Sequence, residues 1–147
     1  EHRMVRIGPL QESRSVTIAT RLPMRRLTAL RLECAAVDGS TSFGVSELVL
    51  SAALRVLTHP RVFVPPTPLE AAVAWVVALR ATPNLVLVAP GPRHWEIFLD
   101  LLGETGAIGN LIPDAWHAAL ALEHGCEWIS EDADFGRFAL LRWSRPG

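Results

Sequence analysis

An α/β domain built around a parallel sheet is predicted by three features of this 147-residue chain. Short apolar stretches such as Leu85-Val86-Leu87-Val88 alternate with longer segments of helical spacing. Their order is mostly helix, strand, helix, strand, which gives parallel strands joined by crossover helices. Acidic residues gather at helix starts and just after one strand, and open α/β sheets place their chemistry at the carboxyl ends of strands.

Each element has a local reason. In residues 1–20, Val16-Thr17-Ile18-Ala19 is a short strand candidate between polar flanks. Helical spacing covers 24–37, and Asp38-Gly39-Ser40 reads as a turn. Phe43-Gly44-Val45 is extended, and Ser46 is placed to cap a helix running to about Leu57, which His59-Pro60 ends. Thr67-Pro68-Leu69-Glu70 has Thr as N-cap, Pro at N1 and Glu at N3, a capping box for a helix to about Ala81. Leu85–Val88 lies between Pro83-Asn84 and Pro90-Gly91 and fits a strand buried on both faces. Pro92 opens another helix, closed by Gly103 or Gly106. Asp114 to His124 is helical, with Gly125 as its C′ residue. Cys126 to Ile129 is the next strand, and Leu141-Arg142-Trp143 is an edge strand candidate.

The length predicts a single domain over 1–147, and half the residues are apolar. Net charge is −1, so overall charge carries no nucleic-acid signal. It is unevenly distributed. Residues 1–33 carry seven Arg against Glu1, Glu12 and Glu33, while the remainder carries seven Arg against twelve acids. Cys34 and Cys126 form no CxxC pair, which argues against a structural zinc site. The longest apolar run, Ala71–Leu79, has nine residues, and a membrane span needs about 20. With no signal-peptide pattern, the expected location is the cytoplasm.

Four acids carry the functional reading: Glu47, Asp114, Asp132 and Asp134. Singly, each has a plain structural use. Asp114 and Glu47 at first turns suit helix caps and dipoles, and Asp132 and Asp134 can turn a loop. Together they form a set of hard oxygen donors suited to Mg²⁺ or Mn²⁺. Crowded like charges are costly unless a cation offsets them. Glu47, Asp114 and Asp132 are therefore expected to converge on one acidic pocket.

The order of motifs is specific. Phe43-Gly44-Val45-Ser46-Glu47-Leu48-Val49-Leu50 is followed by Thr58-His59-Pro60-Arg61-Val62-Phe63 and Pro90-Gly91-Pro92-Arg93-His94-Trp95. Then come Asn110-Leu111-Ile112-Pro113-Asp114, Ala118 through Gly125, Ser130-Glu131-Asp132-Ala133-Asp134-Phe135-Gly136-Arg137-Phe138, and Leu141-Arg142-Trp143. Over about residues 36–147 the chain resembles PIN-domain toxins of the VapC type. The resemblance implies a three-layer α/β/α sandwich with a central parallel sheet, usually homodimeric. It also implies a Mg²⁺- or Mn²⁺-dependent endoribonuclease, the toxin of a toxin–antitoxin pair with a VapB-like antitoxin. The family's catalytic acids map onto Glu47, Asp114 and Asp132, with Asp134 as the auxiliary metal ligand.

The N-terminal part departs from the family. Its first strand ends in an Asp-x-Asn pattern that residues 1–20 lack, and family spacing points to Glu12 as the one acid available to replace the missing Asp. A second reading follows: a catalytically impaired PIN-fold protein that binds RNA or an antitoxin without cleaving. The missing acid favours it, and the four retained acids oppose it.

Other residues weigh less. His117, three residues after Asp114, shares its helix face and is a candidate RNA contact, although a solvated or partner-facing His is the plainer reading. Trp116 is the best stacking candidate among five Trp, most of which suit a core or interface. Arg25, Arg26 and Arg31 suit phosphate or a solvated helix face. His2, His94 and His124 have no acid-and-nucleophile partners at readable spacing, and neither a G-x-S-x-G nor a Walker pattern occurs.

Overall fold

A computed structural model of the chain describes residues 15–17, 43–83 and 85–145. The helix expected over 24–37, the turn at 38–40, Glu12 and Arg25, Arg26 and Arg31 lie outside the described residues.

Among the described residues five strands form one parallel sheet: β1 (Ser15–Thr17), β2 (Phe43–Val45), β3 (Leu85–Leu87), β4 (Glu127–Ile129) and β5 (Trp143–Ser144), in the order β3-β2-β1-β4-β5. β1 is central. It aligns Val16 with Gly44 of β2 on one side and with Trp128 of β4 on the other. The strand candidate at Val16–Ala19 begins one residue earlier, at Ser15, and Ile18 and Ala19 lie outside the described residues. β5 is the edge strand expected near residue 143, pairing Trp128 with Trp143.

α1 (Glu47–Leu57) begins directly after β2. Ser46 caps it as expected, its side chain accepting from Val49 N–H at 3.3 Å. α2 (Leu69–Arg80) starts without the expected capping box: Pro68 is its N-cap, and no side chain caps it. Thr67 instead ties the loop back, its N–H donating to Leu57 C=O at 3.0 Å. β3 is not buried on both faces either. It lies at the sheet edge, and Leu87 is 42% exposed. An uninterrupted apolar run does not distinguish a central strand from an edge strand.

α3 (His94–Thr105) closes at Gly106. α4 (Leu111–Glu123) starts three residues before the expected Asp114. Pro113 is tolerated there because the first turn's N–H groups have no intrahelical acceptor. The far end matches the expectation. Gly125, at φ 64°, completes a Schellman motif, with Gly125 N–H on Leu122 C=O at 3.1 Å and Cys126 N–H on Ala121 C=O at 2.9 Å.

The core lies between α4 and the sheet. Ala115, Ala118 and Ala119 are fully buried and let the helix approach closely over Trp128. Phe135 packs on Trp128 at 4.9 Å between ring centres, and Phe138 and Leu141 extend the cluster. A short 3₁₀ helix, Ala133–Arg137, follows β4 and anchors its end through Phe135.

Candidate metal centre

Asp114 is the fourth residue of α4, past the capping position, and only 8% exposed. Burying a carboxylate is costly, and a simple N-cap does not require it. Asp132 and Asp134 come from the turn after β4. Its geometry is set locally: Asp132 N–H donates to Ser130 Oγ at 3.1 Å, and Asp134 N–H donates to Asp132 Oδ1 at 3.0 Å. Asp132 thereby caps the 3₁₀ helix. Ser130 is buried at the strand end, and its carbonyl accepts from Trp143 Nε1 at 3.0 Å.

The three side chains meet. One ligand oxygen each from Asp114, Asp132 and Asp134 lies within 4.8 Å of the others. In a six-coordinate magnesium site donors sit ~2.1 Å from the ion, hence at most ~4.2 Å apart. Only a small closure separates the observed arrangement from a coordinating one. The donor set, three carboxylates and no thiol or imidazole, is that of a hard divalent cation.

Glu47 is placed differently. It lies at the same carboxyl edge of the sheet, first in α1, but outside the group of three. Its carboxylate accepts from Arg80 at 2.8 Å, and the Glu47 side chain is 70% exposed. Sequence reading gave no sign of this ion pair, since Arg80 is 33 residues away at the end of α2. Glu12 lies outside the described residues.

His117 is buried beside the acids and stacks on Trp128 at 5.2 Å and 26°. Burial, and secondarily the nearby charge of His94, lowers its pKa to about 4, so the ring is neutral near pH 7. Among the described residues its Nδ1 has no hydrogen-bond partner. Trp116 is half-buried and packs against His94, at 4.1 Å, and Phe98, at 5.4 Å. His94 Nε2 donates to Trp116 C=O at 3.0 Å.

Sequence reading assigned no role to Ser130 or Glu123. Ser130, directly after the strand and two residues before Asp132, carries the signature of a side-chain-to-backbone turn. Glu123 accepts from Gly91 N–H at 2.7 Å and Arg93 N–H at 2.9 Å, holding the loop before α3.

Comparisons with known proteins identify the family and the fold. The PIN domain family model matches residues 27–141. Ribonuclease VapC25 of Mycobacterium tuberculosis is 44% identical over 104 residues, covering 71% of this chain and 73% of the relative. VapC ribonuclease Mb2897 of Mycobacterium bovis is 44% identical over 103 residues, 70% of each chain. Among solved structures, VapBC-1 from nontypeable Haemophilus influenzae superposes with a TM-score of 0.62 at 15% identity, covering 88% of this chain and 96% of that one.

Proposed function

The chain belongs to the PIN-domain family, in its VapC branch, and on that premise we propose that it is a metal-dependent endoribonuclease acting as the toxin of a toxin–antitoxin pair. The observation that carries the chemistry is the approach of Asp114, Asp132 and Asp134 to within 4.8 Å. These three residues would hold the cation, Mg²⁺ or Mn²⁺. When bound, it supplies a Lewis acid for the RNA phosphodiester and lowers the pKa of an attacking water.

The chain's own residues set the geometry. Ser130 and the Asp132-to-Asp134 hydrogen bond fix two carboxylates before any ligand arrives. Asp114 is fixed by the buried face of α4. Glu47 would complete the set if its carboxylate were released from Arg80. Exposed ion pairs are worth only ~0.2–1 kcal/mol, so this release costs little.

The partner is a VapB-like antitoxin, supported by the VapBC complexes among the structural neighbours. An Arg of the antitoxin suits the acid cluster and would compete with the cation. Homodimerisation and a cytoplasmic location complete the proposal. Among the described residues no helix is long and apolar enough to cross a membrane.

One observation favours the impaired alternative: Glu47 turns to Arg80 instead of joining the three acids. RNA cleavage by the purified chain decides between the two. Cleavage in Mg²⁺ or Mn²⁺ that EDTA abolishes supports the ribonuclease. RNA or antitoxin binding without cleavage in either metal supports the impaired protein, and cleavage that survives EDTA contradicts the metal mechanism.

A further inference from the structure

A groove of about 400 Å³ runs between α1 and α4. α1 contributes Leu48, Ser51, Ala52 and Arg55, and Asn110, Pro113, Asp114 and His117 come from the start of α4. Each row has the i, i+3, i+4, i+7 spacing of a single helix face. One wall therefore holds a member of the acid cluster, and the other ends in a cation.

We propose that this groove is the subsite for the nucleotide next to the cleaved RNA bond, with Arg55 binding its phosphate. The inference rests on the ribonuclease reading above.

Three observations carry it. Arg55 is exposed in the last turn of α1 and, among the described residues, meets no carboxylate. A free guanidinium lining a groove that also contains Asp114 can receive a phosphate bidentately while the neighbouring phosphodiester reaches the acids. The lining is also mixed: Leu48, Ala52 and Pro113 give an apolar wall, and Ser51 and Asn110 offer hydrogen bonds. That suits a ribose and base. His117, only 6% exposed, adds an imidazole ring to the wall of the same groove. The volume matches a small-ligand cleft. A duplex does not enter such a space, whereas a single strand can splay one nucleotide into it.

The test is steady-state cleavage of a single-stranded RNA in Mn²⁺ by the full chain and by Arg55→Ala and Arg55→Lys. Arg55→Ala is expected to raise KM by roughly 5- to 20-fold, leave kcat within about twofold and leave Mn²⁺ affinity unchanged. One lost phosphate contact also lowers the slope of log(kcat/KM) against log[salt] by ~0.7. Arg55→Lys should restore that slope and most of KM, because the charge is kept. A wild-type chain that cleaves no RNA overturns the ribonuclease reading, and this subsite with it. Wild-type cleavage with KM and salt slope unchanged in Arg55→Ala overturns the subsite alone. Loss of a co-expressed antitoxin from Arg55→Ala, with KM unchanged, assigns the groove to a peptide and also overturns it.

Discussion

Asp114 combines burial with proximity to two other carboxylates, so its substitution has a definite signature. Asp114→Asn keeps the shape but removes the charge and gives a hard cation a poorer ligand. RNA cleavage should fall by at least about 100-fold, with the folded-state circular dichroism unchanged. His117 makes a separate prediction. Its pKa is near 4 in the folded chain, against 6.5 when unfolded, so the unfolded state binds more protons in that window. The neutral ring's contribution is complete above pH 6.5 and is lost as pH falls towards 4, by up to ~3 kcal/mol at about 1.4 kcal/mol per unit. His117→Leu removes the titration and the unpartnered Nδ1. Its loss of stability between pH 6.5 and 4, followed by urea unfolding, should be shallower than that of the parent. At this scale the sequence made Asp114, Asp132 and Asp134 legible, because each falls at a topologically special place. The Arg80 partner of Glu47 was not legible: a contact across 33 residues leaves no periodicity to read.

The elements show the same divide. Ser46 and Gly125 were readable because a cap depends on a few neighbouring residues. The edge position of β3 and the failed capping box at Thr67 depend on tertiary placement, which propensity does not encode. The loop before α3 is the clearest tertiary device. Glu123, at the end of α4, receives the N–H groups of Gly91 and Arg93. An added Cβ at Gly91 would stand 2.5 Å from Glu123 Oε1, so the carboxylate would have to shift off the two N–H groups it holds. Glu123→Ala should cost about 0.5–1.5 kcal/mol, because water can replace the lost acceptor at these partly exposed N–H groups. Gly91→Ala should also destabilise. Thermal melts of the double variant should show less than the sum of the two losses, because the clash disappears with the carboxylate.

For the molecule as a whole, the acid cluster joins two regions of the chain, the start of α4 and the turn beyond β4. Apolar side chains remain exposed on its outer helices: Leu69, Val73 and Val77 along one face of α2, and Trp95 and Leu99 on α3. These faces suit an antitoxin helix or a second copy. Co-expression with the adjacent reading frame, purified through a tag on this chain, should recover a companion protein. A lone monomer from cells that grow normally would contradict the toxin reading. A cation shared by α4 and the turn after β4 should also stabilise the whole fold, by RT ln(1 + [L]/Kd). Calorimetric titration with Mn²⁺ is therefore the most direct measurement of the central claim, that Asp114, Asp132 and Asp134 form one cation site. The expected result is saturable binding by the parent chain, weakened by about tenfold or more in both Asp114→Asn and Asp132→Asn. Equal Mn²⁺ affinity in the parent and both variants would contradict it.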